Sequence, residues 1–317
     1  MLIIDNNICD PWFNLAAEEY LFRSFTANIF MVYTNRRSVI IGKHQNPAEE
    51  VNLRYIKANN IPLIRRISGG GTVYHDEGNL NYTFISNTAD GKQIDFSKYT
   101  KPIISFLQQQ GIDAYTGEKN EIRTGGLKIS GNAEHVFKNR VLHHGTLLFS
   151  ANLELMSKCL ERGSATIISR AVQSHPADVC NLKEKIPGIK GIKEFKERLL
   201  DYISLNNSEY ESYIFNSTDN ENITKIKQEK FISWEWNYAW GPDYTFSKKF
   251  NLEGDHSELT LKVSKGIINE CKFMGPAHLK RVETILPGIR HNYDDIARVM
   301  RDNSLTSDVD LIYNFIM

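Results

Sequence analysis

Three consecutive glycines, Gly69 to Gly71, follow the pair Arg65-Arg66 in the stretch RRISGGGTVYHD, which runs from Arg65 to Asp76. Glycine gives up more backbone freedom on folding than any other residue, so a run of three is poor material for a helix or strand interior. It suits a place where the chain turns tightly, or where backbone N–H groups must approach something closely. With two guanidinium groups alongside, the natural guest is an anion, most simply a phosphate. The same residues also fit a glycine-rich hairpin turn with exposed arginines, and the stretch alone does not separate the two.

The rest of the chain narrows the partners. Its 317 residues carry 38 basic and 38 acidic side chains, so no overall basic field draws it to nucleic acid or to an anionic membrane. Cys9, Cys159, Cys180 and Cys271 are scattered and form no CxxC pair, which argues against a zinc site built on cysteine. The opening MLIIDNNICDPWF lacks a positive stretch followed by a long apolar run, so no secretory signal is expected. No run approaches the ~20 apolar residues that a membrane span needs. The expected setting is the reducing cytoplasm, with free thiols.

Periodicity supplies the element plan. Asn14 to Phe25 has the apolar spacing of an amphipathic helix, and Pro47 to Asn59 and Tyr99 to Gln110 read as two more, the last stopped by Gly111. Strands are expected at Leu2 to Ile4, Ile29 to Tyr33, Val39 to Ile41, Ile61 to Ile67, Thr72 to His75 and Leu80 to Ile85. Further strands follow at Leu127 to Phe137 and Val141 to Ser150. Helices return at Leu153 to Leu160 and Ile192 to Leu205, with an irregular segment between them from Ser164 to Pro187. No regular βαβ alternation appears, so the fold class is α+β, with mixed, largely antiparallel sheets and flanking helices. Asn206 to Asn222 is polar and holds five asparagines, which predicts a linker within 206–230. The expected division is a catalytic domain over 1–225 and a small α+β accessory domain over 226–317. The latter begins as a meander whose last hairpin turns at Lys265-Gly266.

No Walker-type phosphate loop, Rossmann-type GxGxxG or HExxH occurs. Two other stretches carry chemistry. In GGLKISGNAEH, a strand over 127–133 would put Lys128, Ser130 and Asn132 on one face, with glycines close by. On spacing alone a solvated strand face, the common fate of a lysine, is the better fit. In VLHHGTLLFS, strand neighbours point to opposite sides, so at most one of His143 and His144 faces a given site, and a metal role for the pair is not expected.

In this order, RRISGGGTVYHDEGNLNYTF, KISGNAEH and HHGTLLFSANL resemble lipoate–protein ligase A, of the biotin/lipoate ligase superfamily, and SWEWN at Ser233 to Asn237 resembles the start of that family's C-terminal domain. The resemblance implies a biotin/lipoyl ligase-like catalytic domain and a two-step reaction. Lipoic acid and ATP would give lipoyl-adenylate (lipoyl-AMP) and pyrophosphate. A lysine on an apo lipoyl domain of a 2-oxoacid dehydrogenase, or on the glycine-cleavage H protein, would then take the lipoyl group. Residue by residue, Arg66, Gly71, Thr72, Val73 and Tyr74 would hold the nucleotide. Lys128 would bridge the lipoyl carboxylate and the α-phosphate as the catalytic residue. Gly70, His75 and His144 would lie with Lys128 on the lipoate side. Mg²⁺ would accompany ATP, with its ligands unassigned. Val73 and the strand around Leu147 are expected to line the apolar slot. Glu121 stands where the family shows aspartate, and His135 where some members show arginine, so neither receives a role. Arg65, pointing away from Arg66, is left to the fold.

Two other readings remain open at this level. An octanoyl- or lipoyl-transferase would use a cysteine nucleophile, Cys180 or Cys159, and no ATP. A non-catalytic binding protein would hold lipoate or a nucleotide and release no pyrophosphate.

Overall fold

The structure is a computed structural model that describes residues 1–88 and 94–317. Its centre is a six-stranded sheet in the order Asn132–Phe137, Arg140–Leu148, Asn79–Asn87, Ile29–Thr34, Leu2–Asp5 and Glu211–Ser212. The first four strands pair antiparallel, and Leu2–Asp5 pairs parallel with both of its neighbours. Both faces are covered, so the strands read as nearly continuous apolar runs. On one face Phe30, Val32, Phe84 and Leu147 pack with Phe106 of helix Phe96–Gln109 and Phe195 of helix Ile192–Leu205. On the other, Ile29, Met31, Ile85 and Leu142 pack with Leu15, Leu21 and Phe22 of helix Pro11–Ser24.

Helix Pro11–Ser24 begins three residues before the expected start. The Asp10 side chain accepts from the amides of Trp12 and Phe13, and Pro11 occupies the first turn, where its missing N–H costs nothing. The single helix expected over 47–59 is two, Pro47–Glu50 and Leu53–Ala58. Val51 is extended between them with its side chain in a core, and Asn52 restarts the helix by capping the amide of Tyr55. Helix Phe96–Gln109 does end as expected, with Gly111 at φ +85°.

A larger departure lies at Leu127 to Phe137. The chain makes two strands, Leu127–Ser130 and Asn132–Phe137, broken at Gly131 and belonging to different sheets. The alternation of Lys128, Ser130 and Asn132 on one face therefore fails. Ser130 is fully buried, while Lys128 and Asn132 reach the same cavity from separate strands.

The polar segment expected as a linker is structured. Asn216 caps helix Ser217–Ile226 in a reciprocal box with Asp219, and Ile223, Phe231 and Trp236 enter the core of the first unit. Its asparagines cap helices instead of loosening the chain: at the end of helix Ile192–Leu205, Asn206 Nδ2 donates back to Tyr202 O. The SWEWN stretch docks on strand Leu63–Arg65, where Trp236 Nε1 donates to Arg65 O at 2.6 Å and Arg65 N donates to Asn237 Oδ1 at 2.8 Å. A separate core begins at Tyr244. There, strands Tyr244–Leu252, Asp255–Ser264 and Ile267–Met274 pack Phe246, Leu261 and Phe273 against Met300, Ile312 and Phe315. Its fourth strand, Thr166–Ser169, is lent by the first unit.

Candidate active site

Strand Ser38–Ile41 is the middle of a small sheet, with Leu63–Arg65 parallel on one side and Val73–His75 antiparallel on the other. The glycine run joins the two outer strands. It folds back so closely that a Cβ on Gly42 would sit 2.1 Å from Gly70 O, and Gly70 has φ +82°. Arg66 is buried beneath it. Its Nε donates to Ser68 Oγ at 3.0 Å, and its NH2 donates to Gly69 O at 2.6 Å and Gly71 O at 2.7 Å. NH1 donates to Ile40 O at 3.2 Å. Arg66 thus spends most of its N–H groups shaping the loop and presents its charge under it. Burial pushes its pKa down to about 10, which leaves it cationic at neutral pH.

Between this small sheet and the large one lies a cavity of about 720 Å³. Leu15, Tyr33, Ile40, Val73 and Ala133 give one part an apolar wall. Lys128, Arg123, Glu121 and the segment Thr116–Lys119 give the other part charge. The loop from Ser174 to Ala177 crosses above, held because Ser174 Oγ accepts from Thr72 N at 2.8 Å and from Gln45 Nε2 at 2.9 Å. Lys128 stands at the junction. Its Nζ is 3.4 Å from where a Gly131 Cβ would be, so the glycine leaves room for the ammonium to fold over the backbone. Among the described residues, no hydrogen-bond acceptor or ion-pair partner engages that Nζ. Burial pushes its pKa down, and the carboxylate of Glu121 pulls the other way.

The floor is a hydrogen-bonded chain. His144 Nδ1 donates to Glu18 Oε2 at 2.9 Å, and Ser68 Oγ lies 2.6 Å from His144 Nε2. Glu18 Oε1 accepts from Tyr33 OH and Thr83 Oγ1. Burial alone would raise the Glu18 carboxyl, but the charge of His144 and these hydrogen bonds hold it below the ordinary value. The order Ser68–His144–Glu18 is that of a nucleophile triad, yet Ser68 is fully buried and does not line the cavity. It connects the sheet to Arg66 and the glycine loop. His143, its neighbour, faces the opposite side and stacks on Tyr99 at 4.9 Å.

Two buried histidines make the fold acid-sensitive. Burial pushes His75 down to about 3 and His291 down to about 4. His291 takes a hydrogen bond between Tyr244 OH and Nδ1 and donates Nε2–H to Phe315 O, an arrangement that fits the neutral ring. An unfolded chain protonates histidine near 6.5, so between pH 6.5 and 4 it binds more protons than the folded one. Their contribution is complete above pH 6.5 and is lost as the pH falls. Glu18 adds a second loss below about pH 4.5, its unfolded value. Thermal melts are expected to show a midpoint that drops steadily from pH 7 to pH 4. A midpoint constant over that range would contradict the neutral burial of both rings.

The structure brings eight of the nine sequence candidates to this cavity: Arg66, Gly70, Gly71, Thr72, Val73, His75, Lys128 and His144. Tyr74 is the ninth. Alternation on its strand sends its side chain into the core with Val39 and Ile41, leaving only its backbone near the loop. Leu147 also faces a core; the cavity side of its strand is His144, Gly145 and Thr146. Glu121 lines the cavity but is engaged by Arg123 Nε at 2.7 Å and Lys119 N at 2.8 Å. His135 packs on Phe22. Cys159 is buried with its thiol pushed up to about 11, and Cys180 packs against a core, so neither lines the cavity. Among the described residues no group of His, Cys, Asp and Glu is placed to hold a metal ion, and no helix is long and apolar enough to cross a membrane. Sequence reasoning missed Glu18, Tyr33, Thr146 and Ser174. Of these only Glu18 carried a signal, being an acid three residues after Leu15 on the buried stripe of a helix.

An apolar slot that ends on a cation with no partner among the described residues, beside a glycine loop, has the chemistry to suit an amphiphilic acid. The lipoyl protein ligase A/B catalytic domain family matches residues 10–204, and the bacterial lipoate protein ligase C-terminus family matches residues 241–313. Lipoate–protein ligase 1 of Staphylococcus aureus is 38% identical over 309 residues, which is 96% of this chain and 94% of its own. P. falciparum LipL1, solved in complex with lipoate, superposes with a TM-score of 0.64 at 25% identity over 96% of each chain. A lipoate-protein ligase A bound with ATP superposes with a TM-score of 0.63 at 27% identity, over 74% of this chain and 97% of the other. The chain belongs to the lipoate–protein ligase family, and it is an enzyme of the ligase class.

Proposed function

We propose that the protein activates lipoate with ATP and transfers the lipoyl group to a lysine of an apo lipoyl domain, in 2-oxoacid dehydrogenase complexes or the glycine-cleavage H protein. The observation that carries this reading is Lys128, a partly desolvated ammonium with no acceptor of its own among the described residues, at the meeting point of the apolar slot and the glycine loop.

The first step must bring an anionic carboxylate to an anionic triphosphate. Like charges resist this, and fixed cations and N–H donors in a water-poor cleft offset the repulsion. The lipoate chain lies along Leu15, Tyr33, Ile40 and Val73, with its carboxylate at Lys128. A carboxylate oxygen attacks the α-phosphorus, the bond to the bridging oxygen breaks, and pyrophosphate leaves. Lys128 Nζ holds both reacting anions, and Arg66 supplies positive charge beneath the loop. In the second step the acceptor amine attacks the acyl carbon, loses a proton, and AMP departs. Lys128 then stabilises the leaving phosphate. His144, donating to Glu18, holds the floor and moves no proton.

Mg²⁺ is carried chiefly by substrate phosphates in many sites and needs only one or two protein carboxylates. Glu118 lines the charged part of the cavity and is suited to that role, where the ion would neutralise phosphate charge. The cysteine-transferase reading is disfavoured because neither Cys159 nor Cys180 reaches the cavity.

The test is the intact mass of an apo lipoyl domain after incubation with the protein and lipoate, with and without Mg-ATP. Addition of one lipoyl group only when ATP is present is the expected result. No addition, with no lipoate-dependent pyrophosphate, would sink the proposal.

A further inference from the structure

Among the described residues, the apolar part of the cavity contains one buried polar atom without a hydrogen-bond partner. His75 is 4% exposed and lines the cavity, and its Nε2 has no hydrogen-bond partner among the described residues. Its tautomer follows from a row of asparagines. Asn6 Nδ2 donates to Asn14 Oδ1 at 2.7 Å, which turns the Asn14 amide so that Nδ2 donates to Asn35 Oδ1 at 2.8 Å and to Ile8 O at 2.7 Å. Asn35 Oδ1 is therefore an acceptor, and its Nδ2 is the group 3.0 Å from His75 Nδ1. An amide N–H can only donate, so Nδ1 accepts and the ring proton sits on Nε2. Burial, with the charges of Arg66 and His144, keeps the ring neutral.

This N–H lies at the far end from Lys128. Lys128 leans over Gly131, at the edge strand Asn132–Phe137, and Gly131 N donates to Thr146 Oγ1. Thr146, Asn81 and Tyr33 then cross the sheet in one register row, and Asn35, which holds His75, follows two residues after Tyr33. Three strand steps of about 4.8 Å put Tyr33 roughly 14 Å across the sheet from Gly131. A pentanoate chain with a five-membered ring spans most of that distance, which brings the ring toward His75 when the carboxylate is at Lys128.

Taking the lipoate reading above as its basis, we propose that His75 Nε2–H hydrogen-bonds a dithiolane sulfur and makes the site prefer lipoate to a purely hydrocarbon acid of the same length. A plain alkyl end displaces whatever water satisfies this donor and offers it nothing. A site built to donate a hydrogen bond discriminates against analogues that leave the donor stranded. Sulfur is a weak acceptor, so the discrimination is modest.

The experiment compares kcat/KM for lipoate, octanoate and 5-cyclopentylpentanoate, the last matching the ring in shape without an acceptor. The wild-type protein is expected to favour lipoate over the cyclopentyl acid by about tenfold. In His75→Phe, which keeps a flat ring and removes the donor, that ratio falls toward one. In His75→Gln, whose amide nitrogen replaces Nε2, the ratio stays above the phenylalanine value. An unchanged ratio in His75→Phe overturns the proposal. So does a wild-type ratio near one, a result that holds whether or not the variants fold. Failure of the protein to adenylate any of the three acids is a separate outcome, which rejects the ligase reaction and the proposal with it.

Discussion

Replacing Lys128 with alanine is expected to lower kcat/KM for lipoylation by about 10²- to 10³-fold while leaving the melting temperature within a degree or two of the wild type. The two halves of this result come from one fact. Nζ has no hydrogen-bond partner among the described residues, so its removal breaks no structural bond, and its burial already disfavours the charged form. On the proposed mechanism, what is lost is the cation that both reacting anions would share. Lys128→Arg is not expected to restore the rate, because a planar guanidinium does not fit the space above Gly131 that the ammonium occupies. Initial rates at saturating ATP, with melts of both variants, check this. Near-full activity in Lys128→Ala would refute the role, and a large loss of stability would show that the lysine serves the fold.

Arg65→Ala is expected to do the reverse. Arg65 is fully buried and its guanidinium pairs with no carboxylate among the described residues; it donates to Trp236 O, Gly42 O, Lys43 O, Gln45 O and Asn237 O. Burial pushes its pKa down to about 10, so the cage holds a cation. Alanine would strand these carbonyls and open a cavity, at a cost of about 4 kcal/mol. In a protein of this size that corresponds to a melting temperature lower by roughly 6 °C. Lysine, a point charge with three donors, would recover only part of it. Because the acceptors come from the loop before the glycines and from the connector at 236–237, the loss is expected to appear in both units by hydrogen exchange. A change under about 1 kcal/mol would mean that the cage is dispensable.

These two arginines show how far the sequence could be read. Strand alternation separates Arg65 from Arg66, and that separation was legible. What each touches was not, because Arg65 meets residues more than 170 positions later in the chain. Lys128 is legible as a lysine among glycines, but the face it shares is not. The pattern LKISGNA alternates cleanly, and only tertiary structure reveals that Gly131 breaks it into strands of two sheets. The asparagines of 206–222 misled for a related reason. A polar composition suits a linker, yet Asn216 sits three residues before Asp219, the spacing of a helix cap, and the apolar Ile223, Phe231 and Trp236 follow it. The loop at Ser174 carries no local signal, since its place over the cavity is set by contacts with Thr72, Gln45 and Glu50.

The measurement that bears most directly on adenylate formation is exchange of labelled pyrophosphate into ATP, run with no protein acceptor. Exchange that requires lipoate and disappears in Lys128→Ala is the predicted result. Lipoylation of an acceptor domain that proceeds without ATP, or with no lipoate-dependent exchange, would contradict it.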